Sequence, residues 1–120
     1  MKSLGIALFS FQLIINSAIK DPAPELYQQI CNSCHMDNGA GIPAMRAPAI
    51  ATLPRWYVSL QLRNFRDGKR GTHPHDTSGQ LMKGISQRLD DVSIAFLGRY
   101  IQKMTDVEKI TSIKNGNVKS

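Results

Sequence analysis

A chain of 120 residues with 42% apolar and 20% charged side chains is sized and composed for one small globular domain, not a disordered polypeptide. Two cysteines exclude a multi-disulfide scaffold, so a domain with so thin a core is better served by a bound group than by crosslinks. Fifteen basic against nine acidic side chains, a formal charge of +6, favour acidic partners without naming their class.

Lys2 precedes an almost wholly apolar run, residues 4–15, and the small residues Ser17 and Ala18 follow it. This is the layout of a secretory signal peptide over residues 1–18, cleaved near 17 or 18. The run is shorter than the about 20 residues a transmembrane helix needs. The alternative is an uncleaved N-terminal membrane anchor. No second apolar segment approaches spanning length, so the expectation is an exported, soluble mature chain.

Asp21 and Pro22 announce a helix, with an N-cap oxygen followed by proline at the first helical position. Leu26, Tyr27 and Ile30 fall on one face, and the helix runs into CNSCH at residues 31–35. Glycines and prolines make residues 37–54 a loop. Tyr57, Leu60, Leu62 and Phe65 mark a second amphipathic helix over about 55–67. Residues 71–80, GTHPHDTSGQ, read as a turn-rich loop, followed by a short helix over about 80–88. Asp90 caps a final helix whose stripe is Ile94, Leu97, Tyr100, Ile101 and Met104, with Leu89 and Ile94 spaced as a hydrophobic staple. Leu26, Tyr27 and Ile30 are expected to meet Leu97, Gly98 and Ile101 where first and last helices cross, Gly98 permitting close approach. The domain then spans 19–104, and the polar residues 105–120 are expected to be a flexible tail. With no alternating strand pattern, the fold class is all-α: three to four short helices joined by long loops. Loops this long need a large apolar ligand to pack on.

CNSCH matches the attachment signature of c-type haem. Cys31 and Cys34, one helical turn apart, can each add a thiol to a vinyl group on one porphyrin edge. His35 then projects over the ring and offers nitrogen to the iron. A Cys31–Cys34 disulfide is a rival in an oxidising compartment. A thioredoxin-like redox pair would need a βαβ scaffold, which the pattern lacks. Zinc could take both cysteines with His73 and His75, though H-x-H misses the usual histidine spacing.

CNSCH with Gly39, Gly41, Ala47 and Pro48, then YVSLQLRNFRDGKR (57–70), Met82 and LDDVSIAFLGRYI (89–101), resembles the class I c-type cytochromes, small bacterial ones above all. The likeness covers about residues 22–104. It implies the class I cytochrome c fold wrapped around one covalently attached haem c, held through Cys31 and Cys34. His35 and Met82 would be the axial iron ligands, Met82 holding the family's place for the methionine, beyond the middle helix and before the last. His73 and His75 are the runners-up. His/Met ligation raises the potential and leaves no open coordination site. The proline of the A-P pair, Pro48 here, would accept a hydrogen bond from His35. Trp56, Tyr57 and Arg70 carry donors that can reach the haem propionates. One departure is Met36, where the family usually carries glycine; it reads as packing beside the haem.

The function implied is a soluble single-haem carrier cycling Fe(III)/Fe(II) between redox partners in the bacterial periplasm, an electron-transfer protein rather than an enzyme. The alternative is a cytochrome subunit of a dehydrogenase or oxidase complex. Arg55, Arg63, Arg66, Lys69 and Arg70 face only Asp67 in their segment, which suggests docking to an acidic redox protein. A monomer is expected, and no motif points to nucleic acid.

Overall fold

The computed structural model describes the backbone of residues 20–51 and 53–114, and side chains as far as residue 104. The expected signal peptide, 1–18, lies outside the described residues. Helices α1 (Ala23–Ile30), α2 (Asn32–His35), α3 (Arg55–Arg66), α4 (Thr77–Ser86) and α5 (Asp91–Lys114) are joined by loops, with one 3-10 turn at Pro43–Met45. An isolated bridge between Ile42 and Ala47 is the sole β pairing among the described residues. The fold is all-α, as expected. No helix among the described residues is long and apolar enough to cross a membrane.

Each helix start has a local cause. At α1, Asp21 Oδ1 accepts the Ala23 N–H at 2.9 Å, while Pro22 and Pro24 occupy positions where a missing N–H costs nothing. α4 begins at Thr77, earlier than the expected 80, because Asp76 Oδ1 accepts the Gly79 N–H at 2.8 Å. The turn-rich loop is correspondingly shorter. At α5, Asp90 Oδ1 accepts the Ser93 N–H at 2.7 Å, and Leu89 and Ile94 are both buried, as a staple requires. The hydrogen bond from Ser93 holds the Asp90 carboxyl below its usual range. α5 runs to Lys114, with helical backbone over 105–114.

Ala23, Tyr27, Val58, Leu89, Ile94, Leu97 and Ile101 form one buried cluster from α1, α3, α5 and the turn before α5. α1 meets α5 through Tyr27 and Tyr100, ring centroids 5.4 Å apart. Gly98 does not serve that crossing, contrary to expectation. A Cβ there would lie 2.6 Å from Ser59 Oγ and 2.9 Å from the Arg55 carbonyl, so Gly98 lets α5 sit directly on α3. The Arg55 N–H also donates to Gln102 Oε1 at 3.0 Å.

The far end of the α3–α5 contact is polar. Arg66 reaches Asp91 at 2.9 Å, Asp67 at 3.0 Å and the Leu89 carbonyl at 3.3 Å, and Arg63 lies 3.8 Å from Asp91. These bonds, to Asp67 first, raise the Arg66 pKa further above its usual value. The basic run of α3 is therefore partly committed within the molecule.

Candidate cofactor-attachment site

Cys31 sits at the break between α1 and α2, with φ of −104°, and Cys34 lies one turn on. Both are half-buried free thiols. Burial, and then the nearby Cys34, push the Cys31 thiol up to about 11. Among the described residues no group of three or more His, Cys, Asp or Glu could hold a metal ion. His73 and His75 instead pair with each other in the loop before α4, ring centroids 5.5 Å apart and both exposed.

His35 ends α2 and is 7% exposed. Its Nδ1 donates to the Pro48 carbonyl at 2.9 Å. A carbonyl can only accept, so Nδ1 carries a proton, and in the neutral ring the lone pair is then on Nε2, the tautomer that can bind a metal. The backbone around it is held from both sides. The Gly41 N–H donates to the His35 carbonyl at 3.0 Å. The Tyr27 hydroxyl donates to the Met36 carbonyl at 2.7 Å, and burial raises that hydroxyl's pKa above its ordinary value.

Gly41 is the residue that brings Pro48 within reach. At φ of +75°, its missing side chain leaves room for the Ala47 carbonyl and for Pro48, whose carbonyl carbon and oxygen would both lie 2.6 Å from a Cβ. The Ile42–Ala47 bridge and the Ile50 N–H on the Gly39 carbonyl, at 2.8 Å, close the same loop. From the sequence, Gly39 and Gly41 read as loop breakers and as marks of the family resemblance. Their structural signal is two glycines within six residues of the histidine, where a loop must fold back on it.

Met36 is 45% exposed. Its backbone lies at φ of 67° and ψ of 162°, a region that glycine alone adopts freely. The preference for glycine is thus one of backbone conformation, and Met36 fills the position under strain.

Met82 lies on α4, half-buried, between buried Gly79 and Ser86. Trp56 is 66% exposed at the start of α3, edge-on to half-buried Tyr57 with centroids 5.7 Å apart. Arg70 is occupied elsewhere, donating to Gln61 Oε1 at 2.8 Å and stacking over Phe65 at 4.5 Å. Exposed Trp56 and Leu60 on α3 and Leu81 on α4 provide apolar surface beyond the core. Two thiols a turn apart, an imidazole with its Nε2 lone pair preset, and this apolar surface fit a covalently bound haem.

A protein-family model described as Cytochrome c matches residues 21–105. Cytochrome c4 of Pseudomonas aeruginosa is 36% identical over 72 residues, covering 60% of this chain and 34% of that protein. Cytochrome c4 of Azotobacter vinelandii is 33% identical over 72 residues, 60% and 33% of the two chains. The thiosulfate dehydrogenase electron acceptor of Thiomonas intermedia is 31% identical over 86 residues, 72% and 36% of the two chains. The chain spans about a third of the length of these curated relatives. Because the family match runs from two residues before α1 well into α5 and encloses CNSCH, the chain belongs to the cytochrome c family of haem electron-transport proteins, and its cofactor is covalently bound haem c.

Proposed function

We propose that the chain is a single-haem electron carrier of a bacterial periplasmic chain, exported by residues 1–18, with His35 and Met82 as axial ligands. The observation that carries this is the His35 Nδ1 bond to the Pro48 carbonyl within CNSCH, which presents Nε2 to a metal. The haem, when bound, supplies a one-electron Fe(III)/Fe(II) couple. Cys31 and Cys34 tether it, His35 provides nitrogen in a fixed orientation, and Met82 provides a thioether sulfur. If His35 and Met82 both bind the iron, no site would remain there for substrate, and the chemistry the group would supply is electron transfer. Partners are redox proteins with acidic docking surfaces, in keeping with the formal charge of +6.

The relative from Thiomonas is named as the electron acceptor of a dehydrogenase. That supports a role receiving electrons from such an enzyme, as a separate carrier or as its bound cytochrome subunit. Purification as a monomer favours the carrier; co-purification with an enzyme favours the subunit.

The test is expression with haem-attachment machinery, followed by mass spectrometry and visible spectroscopy. One covalent haem and a far-red methionine–iron band that disappears in Met82→Ala are expected. A colourless protein with two alkylatable thiols would overturn the proposal, and a band surviving Met82→Ala would overturn the ligand assignment.

A further inference from the structure

We propose that Gly71 is a positioning residue for Met82: by letting the chain lie directly on the first turn of α4, it sets where the methionine sulfur sits. This rests on the axial role proposed for Met82 above.

Gly71 is buried at φ of +75°, just past the end of α3. A Cβ there would overlap the Gly79 carbonyl oxygen, would lie 2.7 Å from the Gly79 carbonyl carbon, and would lie 3.2 Å from Phe65 Cδ1. The backbone of the loop and the backbone of α4 are therefore in contact with no side chain between them, against the last turn of α3. Gly79 cannot yield the space on its other side. A Cβ on Gly79 would itself meet the Asp76 carboxylate, which accepts the Gly79 N–H at 2.8 Å.

Gly79, Met82 and Ser86 follow at helical spacing, and the first and last of them are buried, so Met82 lies on the inward stripe one turn from the contact. A helix is stiff over one turn, so a displacement of its first turn carries to Met82. Ordinary van der Waals contact begins near 3.4 Å, so the 2.7 Å approach alone means a side chain at Gly71 would push α4 by at least about 0.7 Å, and the overlap with the carbonyl oxygen demands more. Metal–ligand distances tolerate only about 0.2 Å. The methionine bond to iron is therefore the first thing such a shift should break.

Two other glycines separate this from general damage. Gly68, in the same loop at φ of +76°, has only Lys83 Nζ near a Cβ, at 4.0 Å. Gly84, on α4 itself, has nothing within 4 Å. Gly68→Ala shares the dihedral strain of Gly71→Ala without the overlap, and Gly84→Ala adds a methyl to the same helix without a contact.

The experiment compares these three variants and Met82→Ala as haem-loaded proteins of equal haem content and helical circular dichroism. Gly71→Ala should lose most of the far-red band, shift to lower reduction potential and bind carbon monoxide when reduced. Gly68→Ala and Gly84→Ala should keep the band. Should Gly71→Ala give no folded haem protein, Asp76→Ala serves instead. It frees the first turn of α4 without adding volume, and on heating its band should vanish well before its helical signal. A band kept by Gly71→Ala, a band lost equally by Gly68→Ala, or coincident band and helix melting in Asp76→Ala would each overturn the proposal. Loss of the band in Met82→Ala alone sinks only the role of Gly71, whereas its survival there sinks the ligand assignment.

Discussion

Gly98→Ala sets helix propensity against packing, and the structure decides between them. In an unhindered helix the change should stabilise by about 1 kcal/mol. At Gly98 the new Cβ would lie 2.6 Å from Ser59 Oγ and 2.9 Å from the Arg55 carbonyl, both on α3. The hydroxyl can rotate away, but the carbonyl belongs to the first turn of α3 and cannot move without α3. Overpacking of this kind costs about 1–3 kcal/mol, and an immovable backbone atom places the cost at the upper end. The net expectation is destabilisation by about 1–2 kcal/mol, and each kcal/mol lowers Tm by about 4–8 °C in a domain of this size. Thermal unfolding of the haem-loaded protein by circular dichroism reads this directly. Adding Ser59→Ala should recover only part of the loss, because the Arg55 contact remains. Gly84→Ala, in open space on α4, should instead raise Tm. If Gly98→Ala raises Tm as well, the close crossing of α3 and α5 is wrong.

Met36→Gly should stabilise the fold. The φ of 67° and ψ of 162° cost a side chain about 1–3 kcal/mol, of which glycine returns about 0.5–1 kcal/mol through its freer unfolded chain. Urea titration with an unchanged slope should therefore show a gain of about 1 kcal/mol, and no gain would argue against the strain. Asp90 has its carboxyl held below the ordinary value by Ser93, so its contribution is complete above about pH 4 and lost as pH falls through the lower folded value. Asp90→Ser, a cap that does not titrate, should show a smaller fall in Tm over that acid range, and equal falls would refute the link. Electron exchange with an acidic partner should slow between about 0.01 and 0.15 M salt, as the screening length shrinks from about 30 to 8 Å. Lys69→Gln should weaken that dependence more than Arg66→Gln, because Arg66 is already paired with Asp67 and Asp91; the reverse order would refute a docking role for Lys69.

What could be read from sequence was what local spacing controls. CNSCH specifies its own geometry within five residues, and the stripe from Ile94 to Ile101 is buried along most of its length because a 3.6-residue period is a property of one helix. Asp90 was legible as a cap for the same reason. Asp76 was missed because it lies in HPHD, where proline and two histidines mask a cap oxygen three residues before Gly79. The basic run on α3 was legible as charge, but its partner Asp91 is on another helix, so how much of that charge is committed was not.

The glycines show where local reading stops. Periodicity placed Gly98 on the buried side of α5, but both α1 and α3 pack on that helix and nothing in the stripe distinguishes them. The deciding atoms, Ser59 Oγ and the Arg55 carbonyl, lie about forty residues upstream. Gly41 and Gly71 pose the same problem in loops: a glycine declares that a Cβ is unwelcome without saying what takes its place. In this chain the occupants are backbone segments, Pro48 at one site and Gly79 at the other. One carries the carbonyl that orients His35, and the other opens the helix that bears Met82. The two proposed ligands would thus each be set by a backbone contact that only a glycine permits, which makes the loop glycines part of what would fix the iron site.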